Sequence, residues 1–284
     1  MTVRLAHLSD IHFGGENTAA LEAAEELLER DSPDLIVITG DITSFGSTEE
    51  FRQAQAWVRR LTAPVLVTPG NHDTPYFDVP ARLVAPFARY RAALGPPDGR
   101  RWAHPEAVVA TVNTARGVQM RLNWSKGAIG RLQVDSALAA LAGRPNGALA
   151  VVAVHHPLME MVGGPMTARV RGGERAARRL ATAGVDLILS GHIHAPFVWA
   201  LPWAPGSYAV GASTLSLRER GAPAGFNLIT ADAKRITVAA QAWNGSALET
   251  WRTWSLDRRM VAAEDPGSAA LFGPGVHERA QRLS

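Results

Sequence analysis

Seven apolar runs of strand length recur along the chain, and five of them stop at a loop carrying Asp, Asn or His. The runs are Val3–Leu8, Leu35–Ile38, Val65–Val67, Ala107–Val112, Leu149–Val154, Val185–Leu189 and Tyr208–Val210. Most are apolar at almost every position, so neither face of such a strand is left for water. Between several of them lie helical patterns. Ala20, Leu21, Ala24, Leu27 and Leu28 form one stripe of 3.6-residue period, and Phe51, Ala54, Val58 and Leu61 form another. Ser47 and Glu50 read as the capping box of the second. Arg175–Ala183 is a third helix. Short strands alternating with helices predict an α/β fold whose sheet is covered on both faces. Phe226–Trp243 differs, reading as two strands joined by a turn at Asp232, Ala233 and Lys234.

The polar residues gather at the ends of these runs. The first is followed by SDIHF, with Asp10 and His12, and the second by TGDIT, with Asp41. The third leads into TPGNHD, with Asn71, His72 and Asp73. VHHPL follows with His155 and His156, and SGHIHA with His192 and His194. The carboxyl ends of strands in an α/β sheet face one crevice, the usual place for a site. In extended chain, residues i and i+2 point the same way, so Asp10 with His12 and His192 with His194 are expected as chelating pairs. Glycines precede Asp41, Asn71 and His192, allowing sharp turns and close approach. Imidazole, carboxylate and amide without thiolate suit manganese, iron, cobalt or zinc. The set is too large for one catalytic ion with an open position and large enough for two that share a carboxylate.

Five blocks carry a family resemblance: DxH (Asp10, His12), GD (Gly40, Asp41), GNHD (Gly70–Asp73), HxP (His155, Pro157) and GHxH (Gly191–His194). Over roughly Val3 to Trp254 the sequence resembles the calcineurin-like metallophosphoesterases, in particular bacterial class III cyclic-nucleotide phosphodiesterases. Each block alone is weak; five in order, each after an expected strand, are specific. The resemblance implies a four-layer α/β/β/α sandwich and a binuclear centre. Asp10, His12 and His194 would hold one ion, Asn71, His155 and His192 the other, and Asp41 would bridge them. Two such ions, roughly 3.5–4 Å apart, support in-line attack of a bridging hydroxide on a phosphodiester. His72 is then the donor to the leaving oxygen, with Asp73 orienting its ring.

On this reading the substrate is a small anionic diester, with 3′,5′-cyclic nucleotides first. The alternative is a lipid-linked phosphodiester or pyrophosphate of the UDP-diacylglucosamine type. A nuclease is weaker, because a formal charge of +3 and the lack of a basic tract leave little to hold a polynucleotide, and no stable nucleic-acid binding is expected. A non-catalytic scaffold of the same fold is weakest, since every ligand position is filled.

Two apolar segments leave the expected centre. Met159, Met161, Val162 and Met166 follow His155; Phe197, Val198, Trp199, Leu201 and Trp203 follow His194. They read either as core cover or as a substrate wall, with Met159, Met161, Phe197 and Trp199 the contacts. Arg116 is a phosphate contact or half of a salt bridge. His156 is expected to support its neighbour, and His7 to pack or hydrogen-bond in the sheet. His104 and His277 are expected at the surface, as is the helix face bearing Arg175, Arg178 and Arg179. The first residues lack a signal-peptide pattern, and no apolar run nears the roughly 20 residues needed to span a bilayer, so a cytoplasmic protein is expected. One domain is expected over 1–259. The Gly/Pro-rich tail, 260–284, is expected to be flexible or to lie at an oligomer interface such as that of a homodimer.

Overall fold

The computed structural model describes residues 2–120, 123–160 and 170–259, together with the backbone of 276–280. Two sheets pack face to face. The first has seven strands: β1 (Val3–Leu8), β2 (Leu35–Ile38), β3 (Val65–Val67), β10 (Gly225–Ala231), β11 (Arg235–Trp243), β12 (Leu248–Asp257) and β13 (Val276–Ala280). Their order is β13-β12-β11-β10-β1-β2-β3. The second has β4 (Arg101–His104), β5 (Ala107–Thr111), β6 (Leu149–Ala153), β7 (Leu187–Ser190), β8 (Phe197–Ala200) and β9 (Tyr208–Gly211), in the order β4-β5-β6-β7-β9-β8.

The wholly apolar strands have a simple cause: both of their faces are buried, each against a different layer. Val3 and Leu5 of β1, with Leu35 and Val37 of β2, meet Val109, Val151, Leu187 and Val210 of the facing sheet. The alternate residues Ala6, Leu8, Ile36 and Ile38 turn the other way, against Leu21, Leu28, Phe51 and Trp57. Those belong to α1 (Thr18–Asp31) and α2 (Thr48–Arg60). On the far side, Val108, Val152 and Ile188 lie under Val134, Leu141, Ala177 and Leu180. These come from α5 (Arg131–Leu141) and α6 (Gly173–Thr182). The result is the expected four-layer α/β/β/α sandwich. Two short helices, α3 (Val79–Val84) and α4 (Ala88–Leu94), follow β3.

The Ser47–Glu50 capping box is present, each side chain bonded to the other residue's backbone N–H. Such a cap stabilises a helix end by about 1 kcal/mol. The Phe226–Trp243 hairpin is also present, but it does more than close an edge. Its first strand, β10, pairs antiparallel with β1 in the middle of the sheet. The sequence reading did not anticipate α3, α4, α5, β4, β8, β12 or β13. Helix α5 starts at Gly130, which has no side chain to cap it, and β8 is a four-residue edge strand. Of the tail, β13 extends the first sheet beyond β12.

Candidate metal centre

The chain turns sharply where β1, β2 and β7 end. Among the described residues, six non-glycine residues have positive φ: Asp10, His12, Ser32, Asp41, His192 and His194. Five of those six are candidate ligands. The left-handed region costs an ordinary residue roughly 1–2 kcal/mol, so such clustering marks a site where the backbone is held against its preference. It also corrects the expectation that the Asp10–His12 and His192–His194 pairs converge by extended alternation. They converge because each ligand sits in a left-handed bend. Backbone bonds hold those bends: Asp10 N donates to Gly40 O at 3.0 Å, His12 N to Asp41 O at 3.0 Å and Gly191 N to His155 O at 2.9 Å. Two glycines are needed for close approach. A Cβ at Gly70 would strike the Asp41 carboxylate, and one at Gly191 would strike Ser9 and Asp10.

Two groups of candidate ligands result. In one, His194 Nε2 lies 3.1 Å and His12 Nε2 3.9 Å from Asp10 Oδ1. In the other, His155 Nε2 lies 3.2 Å from Asp41 Oδ2 and 3.2 Å from His192 Nδ1. Candidate atoms of Asp10, Asp41 and His155 all fall within 4.8 Å of one another, so the groups adjoin.

Tautomers follow from the outer partners. Nδ1 of His12, His155 and His194 faces the carbonyl oxygens of Thr43 (3.2 Å), Thr39 (2.7 Å) and Arg218 (2.6 Å). A carbonyl oxygen only accepts, so each Nδ1 carries a hydrogen, and in the neutral ring each Nε2 turns a lone pair inward. Nε2 of His12, Oδ1 of Asp10 and Oδ1 of Asn71 are buried without a hydrogen bond. Acceptors buried without a donor fit a bound cation, and the all-N/O donor set fits a divalent metal.

Electrostatics agree. Burial would raise the carboxyl of Asp10, but the ring of His194 holds it below the usual range. Burial likewise opposes ionisation of Asp41, and His155 with His72 holds it well below. His12 falls to about 4 and His192 to about 3, both chiefly by burial, so both are neutral at pH 7. His155 is the exception. Burial lowers it, yet the Asp41 carboxylate raises it to about 9.

Of the neighbours of the centre, Asp73 and His72 are arranged differently from expectation. Asp73 does not orient the His72 ring. Its carboxylate accepts from Thr43 N (2.9 Å), Thr43 Oγ1 (2.9 Å) and Gly70 N (2.8 Å), tying the Asp41 turn to the Asn71 turn. Burial and the nearby Asp41 raise its carboxyl to about 6. The His72 ring instead donates from Nδ1 to Ser44 O at 2.6 Å, and its Nε2 lies 3.5 Å from Arg218 Nη1. His156 has both nitrogens engaged, with Thr114 Oγ1 and Ser125 O, and is a brace for those loops. His7 bonds to Thr39 and Asn227 inside the sheet. His104 stacks on Trp102, and the side chain of His277 lies outside the described residues.

Of the expected substrate contacts, Arg116 is spent on Asn113 O, Ala115 O and Gln133 Oε1. Met159, Phe197 and Trp199 line an apolar hollow on the second sheet with Leu201, Ala177 and Ile188. They cover core rather than wall the centre, because β8 carries the chain away along the sheet edge. Met161 lies outside the described residues. The sequence reading missed the residues at the rim. Phe45, Tyr76 and Phe77 form a solvent-exposed ring cluster, with centroids 5.0–5.8 Å apart, on the two loops that carry Asp41 and His72. Arg218 and Arg220 arrive on the loop after β9. The spacing of Phe45 from Asp41 and of Tyr76 from His72 was a usable signal; nothing local linked Arg218 to His72.

Residues 3–196 match the family profile described as calcineurin-like phosphoesterase. A probable cyclic nucleotide phosphodiesterase of Synechococcus is 31% identical over 84 residues, covering 26% of this chain and 33% of that protein. The glycerophosphodiester phosphodiesterase GpdQ of Enterobacter lignolyticus is 35% identical over 80 residues, 24% of this chain and 29% of that protein. The matched stretch thus spans about a third of each relative. Among solved structures, a purple acid phosphatase from yellow lupin superposes with a TM-score of 0.62 at 11% identity, covering 96% of this chain and 57% of that one. GAP50 of Plasmodium gives 0.60 at 11%, covering 93% and 90%. Likeness at this identity speaks to fold alone.

Proposed function

The chain belongs to the calcineurin-like phosphoesterase family, and we propose that it is a dinuclear metal-dependent phosphodiesterase. The observation that carries the reading is the convergence of Asp10, His12 and His194 on one group and of Asp10, Asp41 and His155 on another, with Asp10 Oδ1, His12 Nε2 and Asn71 Oδ1 buried without hydrogen bonds and Asp10, His12, Asp41 and His194 on left-handed turns. Asp10, His12 and His194 would hold one ion and Asn71, His155 and His192 the other, with Asp41 shared. When bound, two such ions polarise the phosphoryl oxygens and acidify water.

The protein's own part is arrangement and proton handling. Thr43, Thr39 and the Arg218 carbonyl fix the three imidazoles in the tautomer that presents Nε2. Asp73 acts through Thr43 and Gly70 to fix the spacing of the Asp41 and Asn71 turns. His72 keeps its Nδ1 hydrogen on Ser44 O, so the proton passed to the leaving oxygen is the one that Nε2 carries in the protonated ring, which the transfer leaves neutral.

A 3′,5′-cyclic nucleotide is the leading substrate, because Phe45, Tyr76 and Phe77 offer flat exposed faces beside the His72 loop on which a base can stack. A lipid-linked diester or pyrophosphate is the second reading. Its support is the exposed run continuing from Phe77 through Val79, Leu83 and Val84, which would suit an acyl chain. The deciding experiment mixes manganese-loaded protein with cyclic AMP, a glycerophosphodiester and a UDP-linked acyl sugar, read by ³¹P NMR. Loss of the cyclic AMP signal supports the nucleotide reading. Selective loss of the pyrophosphate signal replaces it with the lipid one, and loss of none removes the phosphodiesterase assignment.

A further inference from the structure

The loop after β9 reaches the metal centre without supplying a ligand. Thr214 Oγ1 donates to the Asp10 carbonyl at 2.6 Å, and Leu215 N to the same oxygen at 3.3 Å. Ser216 N donates to Thr214 Oγ1 at 3.0 Å, Arg218 N donates to Ser216 Oγ at 3.2 Å, and the Arg218 carbonyl takes the His194 Nδ1 hydrogen at 2.6 Å. Arg220 Nη1 donates to the carbonyl of His192 at 3.2 Å. The loop is therefore sewn to Asp10, His192 and His194, and its arginines are carried at fixed positions on the ligand ring.

Arg218 itself is exposed. Its Nη1 lies 3.5 Å from His72 Nε2, at the limit of a hydrogen bond. Because Nδ1 of His72 is committed to Ser44 O, Nε2 is the ring atom that faces that guanidinium. Burial and the charge of Arg218 together lower Arg220, so the two guanidinium groups lie close enough to repel. Among the described residues no carboxylate stands within ion-pair reach of Arg218. Among the described residues, this cationic fork at the mouth of the site, beside the His72 ring and a second guanidinium, has no carboxylate paired with it. A phosphoryl oxygen is the anion whose geometry such a fork matches, and a guanidinium holds it by two parallel donors.

We infer that Arg218 is a substrate-binding residue that grips a non-bridging phosphoryl oxygen on the side away from the ligand ring, next to the His72 Nε2 atom. This rests on the phosphodiesterase reading for its catalytic meaning, but the anion site it describes is testable by itself. Arg220, anchored to the His192 carbonyl, stands close enough to Arg218 for the two charges to repel.

The experiment compares the manganese-loaded wild type with Arg218→Ala, Arg218→Lys and, as a surface control, Arg131→Ala. Inorganic phosphate is the probe, its dissociation constant taken from ³¹P NMR line broadening, and metal content is measured alongside. Loss of a charge-assisted bond predicts roughly 10- to 100-fold weaker phosphate binding in Arg218→Ala, with unchanged metal content. Arg218→Lys should recover part of that loss, since it keeps the charge but not the fork, and Arg131→Ala should match the wild type. In diester hydrolysis the same loss should appear mainly in KM, with kcat changed less. Phosphate binding in Arg218→Ala equal to wild type overturns the inference, as does a wild type that binds no phosphate. If phosphate binding weakens as expected but no diester is cleaved by any protein, the anion site stands and the phosphodiesterase reading falls.

Discussion

In the ligand ring, His12, His155 and His194 each have one nitrogen tied to a carbonyl oxygen and their turns stitched to one another. At the rim, Phe77 and Arg218 stand in solvent with few partners. The ring is buried and strained, so its geometry is set by backbone and leaves little freedom to exchange a side chain. The rim is exposed and unstrained, and its residues can change without disturbing the ring. On the proposed function, chemistry belongs to the first region and choice of substrate to the second.

The sharpest way to break that division is Asp41→Ala. It removes the carboxylate that the two-ion reading shares between both groups, so bound metal should fall from two ions and hydrolysis should drop to background. A fully active Asp41→Ala protein would end the two-ion reading. Next is Asp73→Asn, which keeps the size of the side chain and weakens its hold on Gly70 and Thr43. Such outer partners are worth about 10- to 100-fold in metal affinity, and excess metal should restore the rate. If the rate stays low at saturating metal, Asp73 acts on proton transfer and not on ligand spacing.

At the rim, Phe77→Ala should weaken a cyclic nucleotide by about tenfold in KM through lost stacking, while a glycerophosphodiester barely responds. Equal effects on both substrates would mean that the ring cluster does not recognise a base. The smallest signal is a proton. In the metal-free chain the Asp41 carboxylate raises His155 to about 9, above its unfolded value. The pair's contribution to stability is thus fully present below about pH 6.5 and lost as pH rises through 9. A metal needs the neutral ring, so loading at pH 7 should release about one proton from this residue, and loading above pH 10 should release none. Titration calorimetry in buffers of different ionisation enthalpy separates these cases, and pH-independent release would remove His155 from the ligand set.

The ring was legible in the sequence because its parts are local: a short apolar run, a glycine, then the ligand. Strand pairing does the rest, and the order of the five blocks survives translation into space. Its backbone was not legible, since left-handed φ at Asp10 or His192 leaves no mark in composition. Asp73 was misread because adjacency along the chain suggested a contact with His72 that the turn directs elsewhere. Arg218 was invisible for the opposite reason. It meets His72 across 146 positions, and a lone exposed arginine looks like any other. The apolar segment at Phe197 and Trp199 reads as core cover or as a substrate wall alike, because apolar spacing alone does not say which way an edge strand carries its side chains.

The central position of β1 bears on how the protein is made. One of its neighbours is β2, available early, but the other is β10, which ends at Ala231. While the ribosome is still upstream of that point, β1 presents an open hydrogen-bonding edge, a template for unwanted pairing. The ligand groups are delayed as well, because Asp10 waits for His194. Nascent and truncated chains ending before β10 should therefore depend on chaperones and aggregate when released, and metal should enter only after most of the polypeptide has left the exit tunnel.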